Sequence, residues 1–519
     1  MTVTELHRPA MTHREVLEAM SGLLLGMFVA ILSSTVVSTS LPRIVADLHG
    51  TQSEYTWVVT ATLLALTVST PIWGKLADLV DRKLLVQIGL LVFVAGSILA
   101  GLSTSMRWLI ACRVVQGVGA GGLTALVQVI LSDLVSPRER GRYSGYLGAV
   151  FGVGTVAGPL LGGLITDSIG WHWCFYVGVP FALAAFVVLQ LTLHLPRRRR
   201  QVQLDYLGAL LLTAGVSSLL IWVSLAGNEY AWASWQTAAL VAAGIVLLIG
   251  AVTVERRAPE PLVPLDLFNK RTVVLAVIAS IAVGIAMFGT TVFLSQYMQV
   301  ARGKTPTESG LLTIPMVVGL FVASTLIGRR VTRTGRYKRF MLAGTALLTA
   351  GLALMGTLDE TTSLAELAAF MLVVGAGVGA LMQNLVLVVQ NSVAQSEIGA
   401  GSSLIAFFRS LGGAMGVSVL GAVLAQKASS SITNGLAAAG VDPATGGGSS
   451  QVPSVADLPP LIARIVEHAY GTGIAEIFLL GAPLGLVAMA AVALIHEVPL
   501  GTRSGIELAR EELARREAA

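Results

Sequence analysis

Charge is scarce in this chain: only 12% of its 519 residues are Asp, Glu, Lys or Arg, about half the share of an ordinary soluble domain. Cysteine is scarcer still. Cys112 and Cys174 both fall in or beside apolar runs, offer no metal set or disulfide framework, and read as small packing residues. All seven histidines (His7, His13, His49, His172, His194, His468, His496) lie in loops or at the ends of apolar runs. No Gly-x-x-x-x-Gly-Lys-Ser/Thr loop occurs. These shortages exclude a soluble enzyme, a disordered tail and a secreted disulfide scaffold. They also argue against a membrane-embedded hydrolase, which needs a positioned His, Cys or carboxylate set, and against an ATP-driven pump. Neither a metal nor a cofactor is expected.

Hydrophobic residues, by contrast, make up 54% of the chain, and its mean hydropathy is +0.78. Apolar runs bounded by charge or turn residues predict fourteen spans, near 19–41, 56–76, 85–104, 108–131, 143–166, 174–195, 206–226, 237–254, 273–299, 309–328, 341–357, 364–391, 403–425 and 472–495. Each must be helical, because hydrocarbon offers an unpaired backbone group no partner. The expected fold class is therefore all-α integral membrane. Residues 1–18 lack the apolar core and cleavage site of a signal peptide, so the first span reads as an uncleaved anchor.

Cation placement predicts orientation. With both termini cytoplasmic, 26 of the 34 Lys and Arg fall on inner segments, six on outer ones, and Arg113 and Arg409 inside spans. That bias is a strong positive-inside signal. It accounts for the net charge of +5 without any nucleic-acid partner, and makes the run Arg197–Arg200 a topology anchor.

An internal repeat is visible. Gly74, Gly158 and Gly162 recur as Gly328, Gly412 and Gly416, each 254 residues on. Spans 1–6 and 9–14 then read as equivalent six-helix bundles, with 7–8 an inserted pair. The expected division is a cytoplasmic tail (1–18), a first bundle (19–195), the inserted pair with its linkers (196–272), a second bundle (273–495) with a long outer loop at 428–470, and a cytoplasmic tail (496–519).

Three stretches carry a mechanism. Between spans 2 and 3, Gly74 permits close helix approach, while Asp78 and Arg82 are placed to latch a neighbouring helix end. A weaker copy follows at 328–336. In span 4, Arg113 and Gln116 stand inside the membrane, where an arginine costs about 2.5–3.5 kcal/mol at mid-helix on insertion scales and faces a cavity or partner. Gly117, Gly119 and Gly122 beside it spell G-x-G-x-x-G, but no strand precedes them, which excludes a dinucleotide site. In span 5, Gly154, Gly158, Pro159, Gly162 and Gly163 form a stripe expected to pack between the bundles.

These motifs, in this order, resemble the major facilitator superfamily, and with fourteen spans its EmrB/QacA-type drug:proton antiporters. Trp57 with Val58–Thr60, Trp171-His172-Trp173, Asp205-Tyr206-Leu207-Gly208 and Arg409-Ser410-Leu411-Gly412-Gly413 add to the likeness. The resemblance implies a two-bundle transporter in a bacterial plasma membrane that works as a monomer. It would export hydrophobic small molecules by alternating access, with the proton gradient as energy source. Thr35, Ser38, Phe288, Gln296, Gln299, Gln383, Asn384 and Arg409 are its expected cavity residues. The sequence departs from the family pattern at Ser33, where a proton-titrating aspartate is usual, and Asp81 replaces a usual glycine. Glu476, about one turn inside span 14, is the substitute acid the sequence offers. Without such an acid, the alternatives are export of one metabolite or lipid without protons, or a non-transporting receptor.

Overall fold

A computed structural model describes residues 13–48, 52–135, 137–193, 205–226, 230–258, 265–304, 306–394, 397–440 and 459–500. These residues are helical almost throughout. The principal helices are α1 (His13–Asp47), α2 (Gln52–Leu79), α3 (Arg82–Gly101), α4 (Met106–Leu134), α5 (Pro137–Ser168), α6 (Gly178–Thr192) and α7 (Tyr206–Leu225). They continue with α8 (Trp235–Glu255), α9 (Arg271–Gln296), α10 (Ile314–Thr334), α11 (Lys338–Met355), α12 (Leu364–Gln390), α13 (Ile398–Ala438) and α14 (Pro460–Leu494). A π-turn, Tyr297–Ala301, prolongs α9, and a short helix, Pro306–Leu312, leads into α10.

Local chemistry sets many of the boundaries. A helix start leaves backbone N–H groups without partners, and a side-chain oxygen at the cap fills the need. Asp81 accepts from Lys83 N at 2.9 Å to start α3, which explains a carboxylate where the family pattern has glycine. Asp205 accepts from Gly208 N at 2.8 Å to start α7. Ser363 and Glu366 form a capping box on α12, and Gly335, with φ +68°, ends α10 in the left-handed region.

Among the described residues thirteen helices are long and apolar enough to cross a membrane. The fourteenth expected span is represented by a shorter apolar helix, Leu207–Val223, within α7. Most helices differ from the expected spans by a few residues, and the largest differences lie at α13 and α14. α13 runs on to Ala438 and α14 begins at Pro460, so helix replaces much of the outer loop expected at 428–470. Residues 496–500, expected at the start of the cytoplasmic tail, dock on the protein. Glu497 Oε1 accepts from Tyr337 N and Lys338 N at 2.9 and 3.0 Å, and the Tyr337 hydroxyl accepts from Val498 N at 3.2 Å. Burial raises the pKa of the Tyr337 phenol, so it stays neutral in this role.

Helices α1–α6 pack mainly on one another, as do α9–α14; α7 and α8 pair together. The two groups meet along a crossed seam, α2 on α13 and α5 on α10. The repeated glycines explain the packing inside each group. A Cβ on Gly158 would strike the Thr35 side chain, and one on Gly162 would lie 2.8 Å from Val36 O, both on α1. Likewise, Cβ atoms on Gly412 and Gly416 would crowd Ile281 and Ile285 on α9. Each pair therefore lets the fifth helix of its group lie against the first. This corrects the expectation for Gly154, Gly158 and Gly162: the stripe packs within a group, and Gly148 and Gly152 of α5 face α10 at Ser324 and Val317. Gly117 and Gly119 are also packing residues, set against the α2 carbonyl of Thr62 and the α3 backbone at Phe93.

Candidate functional site

The seam is closed near the end of α2. Gly74 abuts the Ser403 side chain and the Gly399 carbonyl of α13, leaving no room for a Cβ. Arg82 is buried and donates from Nε to Ala77 O at 2.7 Å, fastening the α2–α3 turn. Asp78 stands on α2, but its side chain is outside those described, as is that of Pro159 on α5. Lys270 and Glu397, paired at 3.1 Å, tie the starts of α9 and α13 at this same end. Gly74 and Arg82 thus belong to one closed end of the molecule.

Deeper in α4, Arg113 is only 2% exposed. Its Nε donates to Val58 O on α2 at 3.3 Å, and its Nη1 donates to Gln116 Oε1. Gln116 Nε2 passes the chain on to Ser97 Oγ of α3 at 2.8 Å. One polar thread therefore runs through α2, α4 and α3, and no carboxylate is among these partners. Arg409 is held in the same manner, donating from Nη1 to Met382 O of α12 at 3.3 Å. Carbonyl oxygens at membrane depth are the acceptors a buried guanidinium uses when no acid is present.

The two positions relevant to a transported proton are revealing. Ser33 is buried, its hydroxyl against Gly178 of α6. Glu476, the expected substitute acid, is half-exposed and bonded to Lys427 Nζ at 2.8 Å. A half-exposed, paired carboxylate has the geometry of a surface ion pair, and α13 and α14, which bear the two partners, both extend past the expected limits.

The expected cavity residues are placed as follows. Thr35 Oγ1 donates to Gly154 O at 3.0 Å in the α1–α5 contact. Ser38 is exposed and bonds its own helix at Ser34 O, Phe288 covers Gly413, and Asn384 bonds Ala380 O. Gln296 is half-buried, and Gln299 Nε2 donates to Ser295 Oγ at 3.0 Å near the π-turn. An open pocket of about 260 Å³ lined by apolar side chains lies between Met298, Leu312, Pro315, Leu367 and Met371. Gln383 has a different role. Its Oε1 accepts from Gln128 Nε2 of α4 at 3.0 Å, joining the two groups. Gln128, Gln390 and Ser97 escaped the sequence reading, although a lone amide or hydroxyl in an apolar run was a signal available for each. Glu255, 6% exposed at the end of α8, lies one residue beyond the span expected there.

A family model described as Major Facilitator Superfamily matches residues 23–417. The chain belongs to this superfamily. It is a multi-pass membrane transporter of that family and not an enzyme. Relatives of this facilitator include the multidrug transporter protein MdtP of Bacillus subtilis, 35% identical over 80% of this chain and 76% of that protein. Multidrug resistance protein 3 of the same organism is 32% identical over 91% of this chain and 93% of that one. An uncharacterized MFS-type transporter of Mycobacterium tuberculosis is 37% identical over 92% of this chain and 69% of its own length. Among solved structures, a proton:xylose symporter superposes with a TM-score of 0.62 at 14% identity, covering 96% of this chain and 99% of that one. The human organic anion transporter MFSD10 gives 0.59 at 15% identity, covering 91% and 99%. At such identities these likenesses concern the fold alone.

Proposed function

We propose that this facilitator is a secondary-active exporter of hydrophobic small molecules, of the EmrB/QacA type, working by alternating access in a bacterial plasma membrane. In this reading α7 is the fourteenth span, both termini are cytoplasmic, the closed end at Gly74 faces the cell interior, and one chain suffices. The groups α1–α6 and α9–α14 are the two bundles that rock. The observation that carries the proposal is the crossed seam, α2 on α13 and α5 on α10. Two bodies joined along such a seam can part at one end while closing at the other. The multidrug names of two relatives support the cargo class.

Proton antiport is the coupling implied by the resemblance. A second reading, export without protons, is favoured by Ser33, since a hydroxyl does not titrate near neutral pH, and by the pairing of Glu476 with Lys427. Uptake of a labelled hydrophobic compound from the medium by inverted membrane vesicles separates the two. Accumulation that collapses on addition of an uncoupler supports antiport. Accumulation that survives uncoupling supports the second reading, and absence of transport across a broad compound panel overturns the exporter.

A further inference from the structure

Buried amides stand between the bundles near the closed end. Gln128 of α4 is 7% exposed, Gln383 of α12 8%, Gln390 5% and Ser402 of α13 1%. Gln128 Nε2 donates to Gln383 Oε1 at 3.0 Å. Gln390 Nε2 donates to Ser402 Oγ at 2.7 Å and also reaches the Gln128 carbonyl oxygen at 3.4 Å. Ser402 Oγ in turn donates to Ile398 O at 2.7 Å. Gln128 and Gln383 are 255 residues apart, one more than the glycine repeat, so they occupy near-equivalent places in the two bundles and meet across the pseudo-twofold relation between them. Gln128 lies fifteen residues beyond Arg113, about 22 Å further along α4, and so beside the closed end rather than the arginine thread.

We propose that Gln128, Gln383 and Gln390 form the latch that holds this end shut, a role that rests on the alternating-access reading. Every bond in it between α4 and α12 must break when the bundles part there, whereas the arginine thread lies within one bundle and travels with it. Interhelical hydrogen bonds in membrane proteins are individually modest. A latch of two such bonds is strong enough to bias a closed state and weak enough to let it open. Because its members are neutral amides, its strength depends on geometry and not on ionisation.

The test uses the full chain in proteoliposomes, with spin labels at Leu84→Cys on α3 and Arg330→Cys on α10. Both sites are exposed and near the closed end, while Cys112 and Cys174 are buried and spared from labelling. Gln128→Leu and Gln383→Leu should each enlarge the long-distance population at least threefold over the parent. The double variant should add little to either single one, because both remove the same bond. Unchanged distance distributions, or single effects that simply add, overturn the latch. If leucine at 383 impairs folding, Gln390→Leu and Ser402→Ala interrogate the second arm by the same reading. A parent that exports cargo with distances indifferent to these changes sinks the latch alone; a parent that exports nothing sinks the function on which it rests.

Discussion

At the residue scale, the buried arginine in α4 is the clearest case of a chemistry visible in sequence but not explained by it. Arg113 in an apolar run announced a partner; the run could not say that the partners are the Val58 carbonyl and Gln116. Those acceptors lie on α2 and on the arginine's own helix, brought within reach only by helix packing. Removing the guanidinium leaves the Gln116 side-chain carbonyl without this donor and cuts the link from α4 to Val58 O of α2. Arg113→Ala is expected to lower the initial export rate in inverted vesicles by more than tenfold, with the protein still inserted. Arg113→Lys should not restore it, because one ammonium does not reproduce the fork that reaches both acceptors. Wild-type export by either variant would remove Arg113 from the mechanism. Glu476 teaches the opposite lesson. Its position about one turn inside an apolar run left its surroundings open; Lys427 beside it comes from a neighbouring helix, and no local pattern reports where that helix ends.

The element scale is where glycine decides. The stripe at 154, 158 and 162 was legible as a helix-contact face, but its partner was not, and α1 rather than the other bundle lies against it. A larger residue at 158 must displace Thr35 and break its bond to Gly154 O. Gly158→Val is therefore expected to cost roughly 1–3 kcal/mol, in the range of overpacked cores, and to lower the melting temperature of the detergent-solubilised protein by several degrees. Gly250→Ala in α8 is the control. There a Cβ would meet only Leu211 side-chain atoms at 3.6 and 3.9 Å, so melting should be unchanged. Equal effects at the two sites would refute the packing argument. Most of α8's apolar stretch is exposed, only 11% of it being buried inside the protein.

For the whole molecule, the transport reading requires relative motion of the two bundles. The short helix Pro306–Leu312 packs on α5, and Leu164 of α5 and Leu311 are both exposed. A reducible crosslink between Leu164→Cys and Leu311→Cys, at the end away from Gly74, should stop export and release it on reduction. Undiminished flux through the crosslinked protein would end the rocking model. The carboxyl-terminal strap is also a whole-molecule feature, since Glu497 reaches across to cap α11 at a sequence separation of 160 residues. The Gly328–Arg336 copy of the loop motif contains no acid, and the distant carboxylate supplies the acceptor that Asp81 provides locally for α3.

The sequence by itself determined that this chain lives in a membrane, nearly where each helix runs, and that two stretches repeat. Partition of a helix into hydrocarbon is a sum over its own side chains, so local composition suffices. Tertiary structure alone decided which polar groups meet: Gln128 with Gln383, Arg113 with Val58, Glu497 with Tyr337 and Lys338. Such pairings depend on how helices are rotated and staggered against one another, and that arrangement is set by close packing between residues far apart in the chain.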